Sequence, residues 1–198
     1  MIFYQMVKLS DVAICMFVKK KTIMAQKTKW IIDTNHSEVQ FKVKHLMIAY
    51  LSGTFKMFNG EVESENEDFN NSEINFEIDA NSIDTYHEVR DGHLRSPEFL
   101  DTEKFPKIVF KGLLQKKEGK YQLHGELALR GVQKSIQLDV EFIGIGQGRY
   151  GDTRAGFEVN GKLNRKDFGI NIGLLTEVGS LVVDEEIKLH FDIELIKQ

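Results

Sequence analysis

Apolar and polar residues alternate along most of this chain with a period of two. Residues 72–80 show it most clearly: Ile74, Phe76, Ile78 and Ala80 fall on one side, and Glu73, Asn75, Glu77 and Asp79 on the other. Successive side chains of a strand point to opposite faces, so this segment predicts a strand with one dry and one wet face. The pattern recurs at 38–44 (Val39, Phe41, Val43 dry), 135–142 (Ile136, Leu138, Val140, Phe142) and 186–195 (Ile187, Leu189, Phe191, Ile193, Leu195). Weaker alternation marks 49–58, 107–114, 121–129 and 154–163. Turn signals separate these segments at Asn59-Gly60, Glu118-Gly119, Arg130-Gly131 and between Gly146 and Gly151.

Eight strands, each wet on one face only, predict an all-β chain with antiparallel pairing. They must bury one shared dry face, as a closed barrel or as a two-sheet sandwich. Hairpin connections in sequence order favour the up-and-down barrel. One stretch departs from the pattern. Residues 81–106, between the third and fourth strands, are too long for a plain hairpin loop and too patterned for disorder. Ser96-Pro97-Glu98 reads as a helix start, with Ser as N-cap and Pro at the first helical position, and 83–89 as a second short helix. This excursion is placed to pack over one end of the barrel.

Composition narrows the picture further. The chain has 198 residues, 41% hydrophobic and 28% charged, enough apolar surface to offset chain entropy. Two Pro exclude a collagen-like chain, and a single cysteine, Cys15, excludes a disulfide scaffold. No apolar run reaches the roughly 18 residues of a membrane-spanning helix, so no stable membrane insertion is expected. A net charge of −4 argues against nucleic acid as a partner.

The first 23 residues differ in character, carrying four Lys against one Asp. Their apolar run, 12–18, precedes the Lys19–Lys21 cluster, the reverse of a secretion signal. Residues 1–23 are therefore expected to be an N-terminal extension and 24–198 the folded domain, with Met24 a candidate start. A cytoplasmic location follows; the rival is a degenerate signal over 1–23 and a periplasmic location.

An eight-stranded barrel is just wide enough to be filled by side chains or to hold one small ligand. The inward positions are almost all apolar, and Phe occurs 14 times. Gly53, Gly112, Gly125 and Gly161 fall on the dry register, where a missing side chain leaves room or lets the sheet coil. Periodicity does not choose between filled and hollow.

Three polar sets could carry chemistry. Asp33, His36, Ser37 and His45 invite a triad reading, but Ser37 adjoins His36 and neighbours on a strand face opposite ways; His36 and Asp33 are expected to brace the first strand. His87, Glu88, Arg90, Asp91, His93 and Arg95 form a charge cluster in the excursion. The two His are six apart, unlike the spacing that puts two ligands on one helix face, so no metal is expected; Arg90 and Arg95 could instead grip an anionic headgroup. Arg165, Lys166 and Asp167 complete the sets, with Arg165 and Asp167 placed by parity to form an ion pair.

These residues also carry a resemblance. Trp30–Leu46 reads W-I-I-D-x-x-H-S-x-V-x-F-x-V-x-H-L. It is followed by Gly53-x-Phe55, Ser82-Ile83-x-Thr85, Arg90-Asp91-x-His93-Leu94, Ser96-x-x-Phe99 and Phe105-Pro106-x-Ile108-x-Phe110. Gly125-x-Leu127-x-Leu129-x-Gly131-Val132 and Arg165-x-Asp167-Phe168-Gly169 complete the ordered set. The string resembles the YceI-like family, also called polyisoprenoid-binding, from Trp30 to about Leu195. The resemblance implies a lipocalin-like antiparallel barrel with a long apolar pore, no cofactor, no catalytic residues and a homodimer. It implies as ligand a long-chain lipid or isoprenoid: an isoprenoid quinone, a polyprenyl phosphate or a fatty-acid amide. Phe41, Leu51, Phe55, Phe76, Ile78, Phe110, Leu127, Leu138, Phe157 and Phe191 are the expected pore lining. Arg90, Asp91, His93 and Arg165 are the expected headgroup contacts. Two alternatives stay open: an interaction module with a filled barrel, and a metal-dependent enzyme using His87, His93 or Asp91.

Overall fold

The structure, a computed structural model, describes residues 27–171 and 182–198. The extension 1–23, Met24 and Cys15 lie outside the described residues. In chain order the strands are β1 (Thr28–Ile32), β2 (Glu38–His45), β3 (Ala49–Phe55), β4 (Phe58–Ser64), β5 (Ser72–Asp79), β6 (Ile83–Asp84), β7 (Lys107–Lys117), β8 (Lys120–Leu129), β9 (Val132–Gln147), β10 (Thr153–Asn164) and β11 (Val183–Lys197). One helix, α1 (Glu88–Arg95), lies between β6 and β7.

Eleven segments make eight staves. β1 and β2 lie one after the other along the same edge of β11: Trp30 pairs with Lys197 and Ile32 with Leu195, while Val39 pairs with Phe191 and Val43 with Ile187. β4 pairs with β1 and β3 with β2, so β3 and β4 are likewise one stave interrupted at 56–57. β5 continues into β6, which pairs with β3 at Thr54 and Phe55. From β5 the sheet runs through β7, β8, β9 and β10 to β11, and the β1–β11 pairing closes it. All pairings are antiparallel. The eight-stranded antiparallel barrel read from the alternation is thus the fold; closure removes the edges of the ring, and residues 49–53 of β3 project past it, paired with β2 alone.

The excursion follows other rules than those read from its sequence. The helix starts nine residues earlier than Ser96-Pro97 suggests: His87 is its N-cap, with Nδ1 accepting from Arg90 N at 3.3 Å, and Ser96 caps its end. Pro97 suits that role too, since proline ends helices as readily as it begins them. Residues 83–84 form a strand rather than a helix because β3 offers them an unpaired edge. Asn59-Gly60 is no turn either. Gly60 sits within β4 opposite Phe76, and a Cβ there would lie 2.7 Å from Ile32 Cδ1. The true turn falls at 65–71, where Phe69 adopts φ 53° and drops, fully buried, into the barrel.

The four dry-register glycines also resolve. None leaves open space. A Cβ on Gly112 or Gly125 would lie 2.7 or 2.5 Å from the Phe110 ring, one on Gly53 2.5 Å from Phe41, and one on Gly161 2.2 Å from Leu138. Each glycine yields its place to a neighbouring large side chain, which is how rings this bulky lie flat along the wall.

Candidate functional site

The barrel's interior is not filled. A hollow of about 240 Å³ runs along it. Its walls come from alternate residues of the staves, and its lining is apolar apart from Arg165 and parts of Gln40, Glu61 and Asn75. Phe41, Phe55, Phe76, Phe191, Ile136, Val140 and Leu189 face it, and each is only half-buried although it points inward. In a packed core such side chains would be sealed by their neighbours. Among the described residues, three buried side-chain polar atoms lack a partner, on His124, Arg130 and Asp152, and none of these residues lines the hollow. Nothing polar and unsatisfied therefore draws water into it, the condition under which an internal space stays dry.

Nine of the ten residues expected to line the pore do so: Phe41, Phe55, Phe76, Ile78, Phe110, Leu127, Leu138, Phe157 and Phe191. Leu51 does not. It pairs with Val43 beyond the last β3–β6 pair, where no stave stands on its other side to enclose it. Alternation does not single out Leu94, Phe99, Leu100, Phe168 or Ile170, which also line the hollow. They come from the excursion and from the turn after β10, and their one sequence signal is an apolar residue in a polar stretch.

The two ends differ. At one end the Trp30 and Phe69 rings meet, tilted, at 4.9 Å, Phe69 meets Phe157 at 5.0 Å and Phe142 at 5.6 Å, and Tyr121 meets Phe142 at 6.0 Å. Tyr121 Oη donates to Asp68 O at 2.5 Å and Ser72 Oγ to Phe69 O at 2.8 Å, fixing the 65–71 turn over this aromatic plug. At the other end lie Leu94, Phe99, Leu100, Val183 and Arg165. Among the described residues no comparable aromatic cluster stands at this second end, which is termed the mouth.

The headgroup residues expected at the mouth are otherwise engaged. Asp91 is buried and accepts from Thr85 N at 3.0 Å and from the Thr85 hydroxyl. Arg90 donates from Nε to Thr85 Oγ1 at 2.7 Å and from Nη2 to Thr85 O at 2.6 Å. Arg95 donates to Asn81 O and Ile83 O, both at 3.0 Å. This set ties α1 to the 81–85 segment, because a helix docked over irregular backbone must satisfy that backbone's carbonyls and amides. His93 is exposed and does not line the hollow. Of the four, only Arg165 borders it. Arg165 is buried at the end of β10 and donates to Ile170 O at 2.6 Å, Asp184 O at 3.1 Å and Val183 O at 3.3 Å. The parity argument for an Arg165–Asp167 pair fails because 165–168 is a 3₁₀ turn, not strand; Lys166 pairs with Glu185 instead.

Near the plugged end, Asp33, His36 and Glu194 come together. Arg154 occupies their centre, with Nη1 donating to Asp33 Oδ2 at 2.7 Å and to Glu194, and Nε to Asp152 at 2.5 Å. A guanidinium there opposes a cation. Burial pushes the Asp33 carboxyl up, but hydrogen bonds from His36, Asn35 N and Arg154 outweigh it and hold the group below its ordinary value of 3.8. Ser37 bonds the backbone of Glu194, with Glu194 N donating to its Oγ at 2.9 Å, so no triad forms. As its residue types suggested, the set braces the start of the barrel wall.

The YceI-like domain matches residues 30–195. Protein YceI of Salmonella newport is 38% identical over 167 residues, 84% of each chain. In fold the chain is similar to BcnA of Burkholderia cenocepacia, at 19% identity and a TM-score of 0.69 over 82% of this chain and 98% of that one. It is also similar to a polyisoprenoid binding domain from Saccharophagus degradans, at 16% identity and a TM-score of 0.63 over 85% and 98%.

Proposed function

This chain belongs to the YceI-like domain family, and we propose that its hollow barrel is a non-enzymatic binding site for a long-chain lipid or isoprenoid, with the tail in the hollow and the polar head at the mouth. The observation that carries this reading is the set of inward-facing Phe, Leu, Ile and Val side chains left half-buried around an apolar hollow. Burying each CH₂ contributes about 0.8 kcal/mol, so a ten-carbon stretch supplies roughly 8 kcal/mol before ordering costs. A fold neighbour described as polyisoprenoid binding supports the isoprenoid class. Isoprenoid quinones and fatty-acid amides fit the same chemistry. Arg165, a charged side chain bordering the hollow at its mouth, supports a head held there. Binding rather than catalysis is favoured by the engagement of Arg90 and Asp91 in holding α1 and of Arg154 in the acidic cluster.

Mass spectrometry of the purified protein, native against denatured, tests this, with an organic extract run alongside. A mass excess of several hundred daltons that disappears on denaturation, matched by a lipid in the extract, is expected. Equal masses, a clean extract and no uptake of added isoprenoid quinone or fatty-acid amide would overturn the reading in favour of an interaction module.

A further inference from the structure

The turn between β2 and β3 carries residues its geometry disfavours. Leu46 and Met47 both have positive φ, 50° and 60°, and Ile48 N donates to His45 O at 3.1 Å. Positive φ at both central residues marks a type I′ β-turn, set within the three-residue connection between the paired His45 and Ala49, and that conformation strongly prefers Asn-Gly. A large side chain in the left-handed region is strained, and such strain points to a role for the side chain itself. Leu46, Met47 and Ile48 are 41%, 49% and 85% exposed, so they contribute little to the core.

Their surroundings say what they meet. Leu46 N donates to Val182 O at 2.8 Å and His45 pairs with Val183, which lines the hollow as Val43 does. The turn therefore stands at the rim of the mouth. On the outer face below it, Tyr50 is half-exposed, with Lys188 Nζ 5.0 Å and Lys44 Nζ 5.8 Å from its ring centre. Lys42 pairs with Lys188 in the ladder. Among the described residues none of these three lysines has a carboxylate within 4 Å; Lys188 is engaged by the Tyr50 phenol and drawn by the charge of Glu186, which itself pairs with Lys162. The chain as a whole carries a net charge of −4. An apolar tip, a tyrosine collar and a ring of cations, in that order, match the layers of an anionic bilayer: acyl boundary, headgroup level, phosphates.

We propose that the β2–β3 turn is a docking tip for an anionic lipid surface, with Leu46, Met47 and Ile48 entering the acyl boundary and Lys42, Lys44 and Lys188 meeting the phosphates. Docking so places the mouth against the bilayer; that consequence rests on the carrier reading, while the docking itself does not.

The test is flotation of the full chain with vesicles of phosphatidylglycerol and phosphatidylethanolamine, beside vesicles of phosphatidylcholine alone. The protein is expected to float with the anionic vesicles and to be released by salt. The variant Leu46→Asn/Met47→Gly/Ile48→Thr installs the preferred turn and so folds, and its vesicle affinity falls roughly tenfold or more. Lys42→Gln/Lys44→Gln/Lys188→Gln loses the salt-sensitive part. Ile143→Thr, 64% exposed near the plugged end, floats like the unaltered chain. Uptake of N-phenyl-1-naphthylamine without vesicles is measured in parallel. No flotation, or a turn variant that floats unchanged, would overturn docking even with dye uptake intact; lost dye uptake with flotation intact would overturn the carrier reading alone. Vesicle-independent doubling of mass, abolished by the turn variant, would make the tip a self-interface and also overturn the proposal.

Discussion

Single residues decide whether this barrel holds anything. Ile136 lines the hollow and is half-buried. Adding volume to a well-packed interior costs about 1–3 kcal/mol. In a hollow one the added atoms gain contacts instead. Ile136→Phe is therefore expected to leave unfolding free energy unchanged or raised, while uptake of an isoprenoid quinone falls; a loss of stability in denaturant titrations would mean the space is already filled. The nine lining residues found by alternation were legible because a strand exposes its register to inspection. Hollowness was not, because a filled and an empty barrel share one apolar pattern. The glycines illustrate the gap: their inward register was readable, but not that Phe110 lies over Gly112 and Gly125 and Phe41 over Gly53. Leu51 has the right parity and fails for lack of an enclosing neighbour, a fact of topology rather than of sequence. Arg90 and Asp91 had the right chemistry for a headgroup, yet their partner, Thr85, is five and six residues away in the same excursion.

At the scale of elements, polar networks hold the staves together where apolar contact is thin. Arg154 on β10 joins Asp33, just after β1, to Glu194 on β11 and to Asp152. Asp33 titrates below 3.8 in the folded chain and near that value when unfolded. Its contribution is thus fully present above about pH 4 and is lost as pH falls through the lower, folded value. Denaturant titrations across pH 2–7 should show stability dropping in that acid window. Arg154→Leu should lose stability already at neutral pH and show a shallower acid slope; an unchanged slope would remove Asp33 from the account. Strands paired with sequence neighbours were legible, since hairpins are local. The excursion was not. Its helix is too short for a clear 3.6-residue period, and Ser96-Pro97 fits either end of a helix. Phe69 was hidden in a polar turn and is nonetheless wholly buried in the plug.

The whole molecule depends on its last strand. β11 pairs with β10 along its length and with both β1 and β2, so its C-terminal half closes the ring. Leu195 is 1% exposed, and truncating one such buried side chain to Ala costs about 2–5 kcal/mol, against a total stability of roughly 5–15 kcal/mol. A chain lacking residues 193–198 should lose cooperative unfolding. Trp30, the single tryptophan, should then emit at longer wavelength, as a solvated indole does; a sharp transition with blue-shifted emission would show that the ring closes without them. The shared seam also sets an order of events during synthesis. Until β11 has emerged, β1 has no β11 beside it, and the partial sheet carries two unpaired edges flanking a face of phenylalanines. Such edges recruit other strands. Closure must then wait until β11 has emerged from the ribosome, and in the interval chaperone capture competes with aggregation for the same surface.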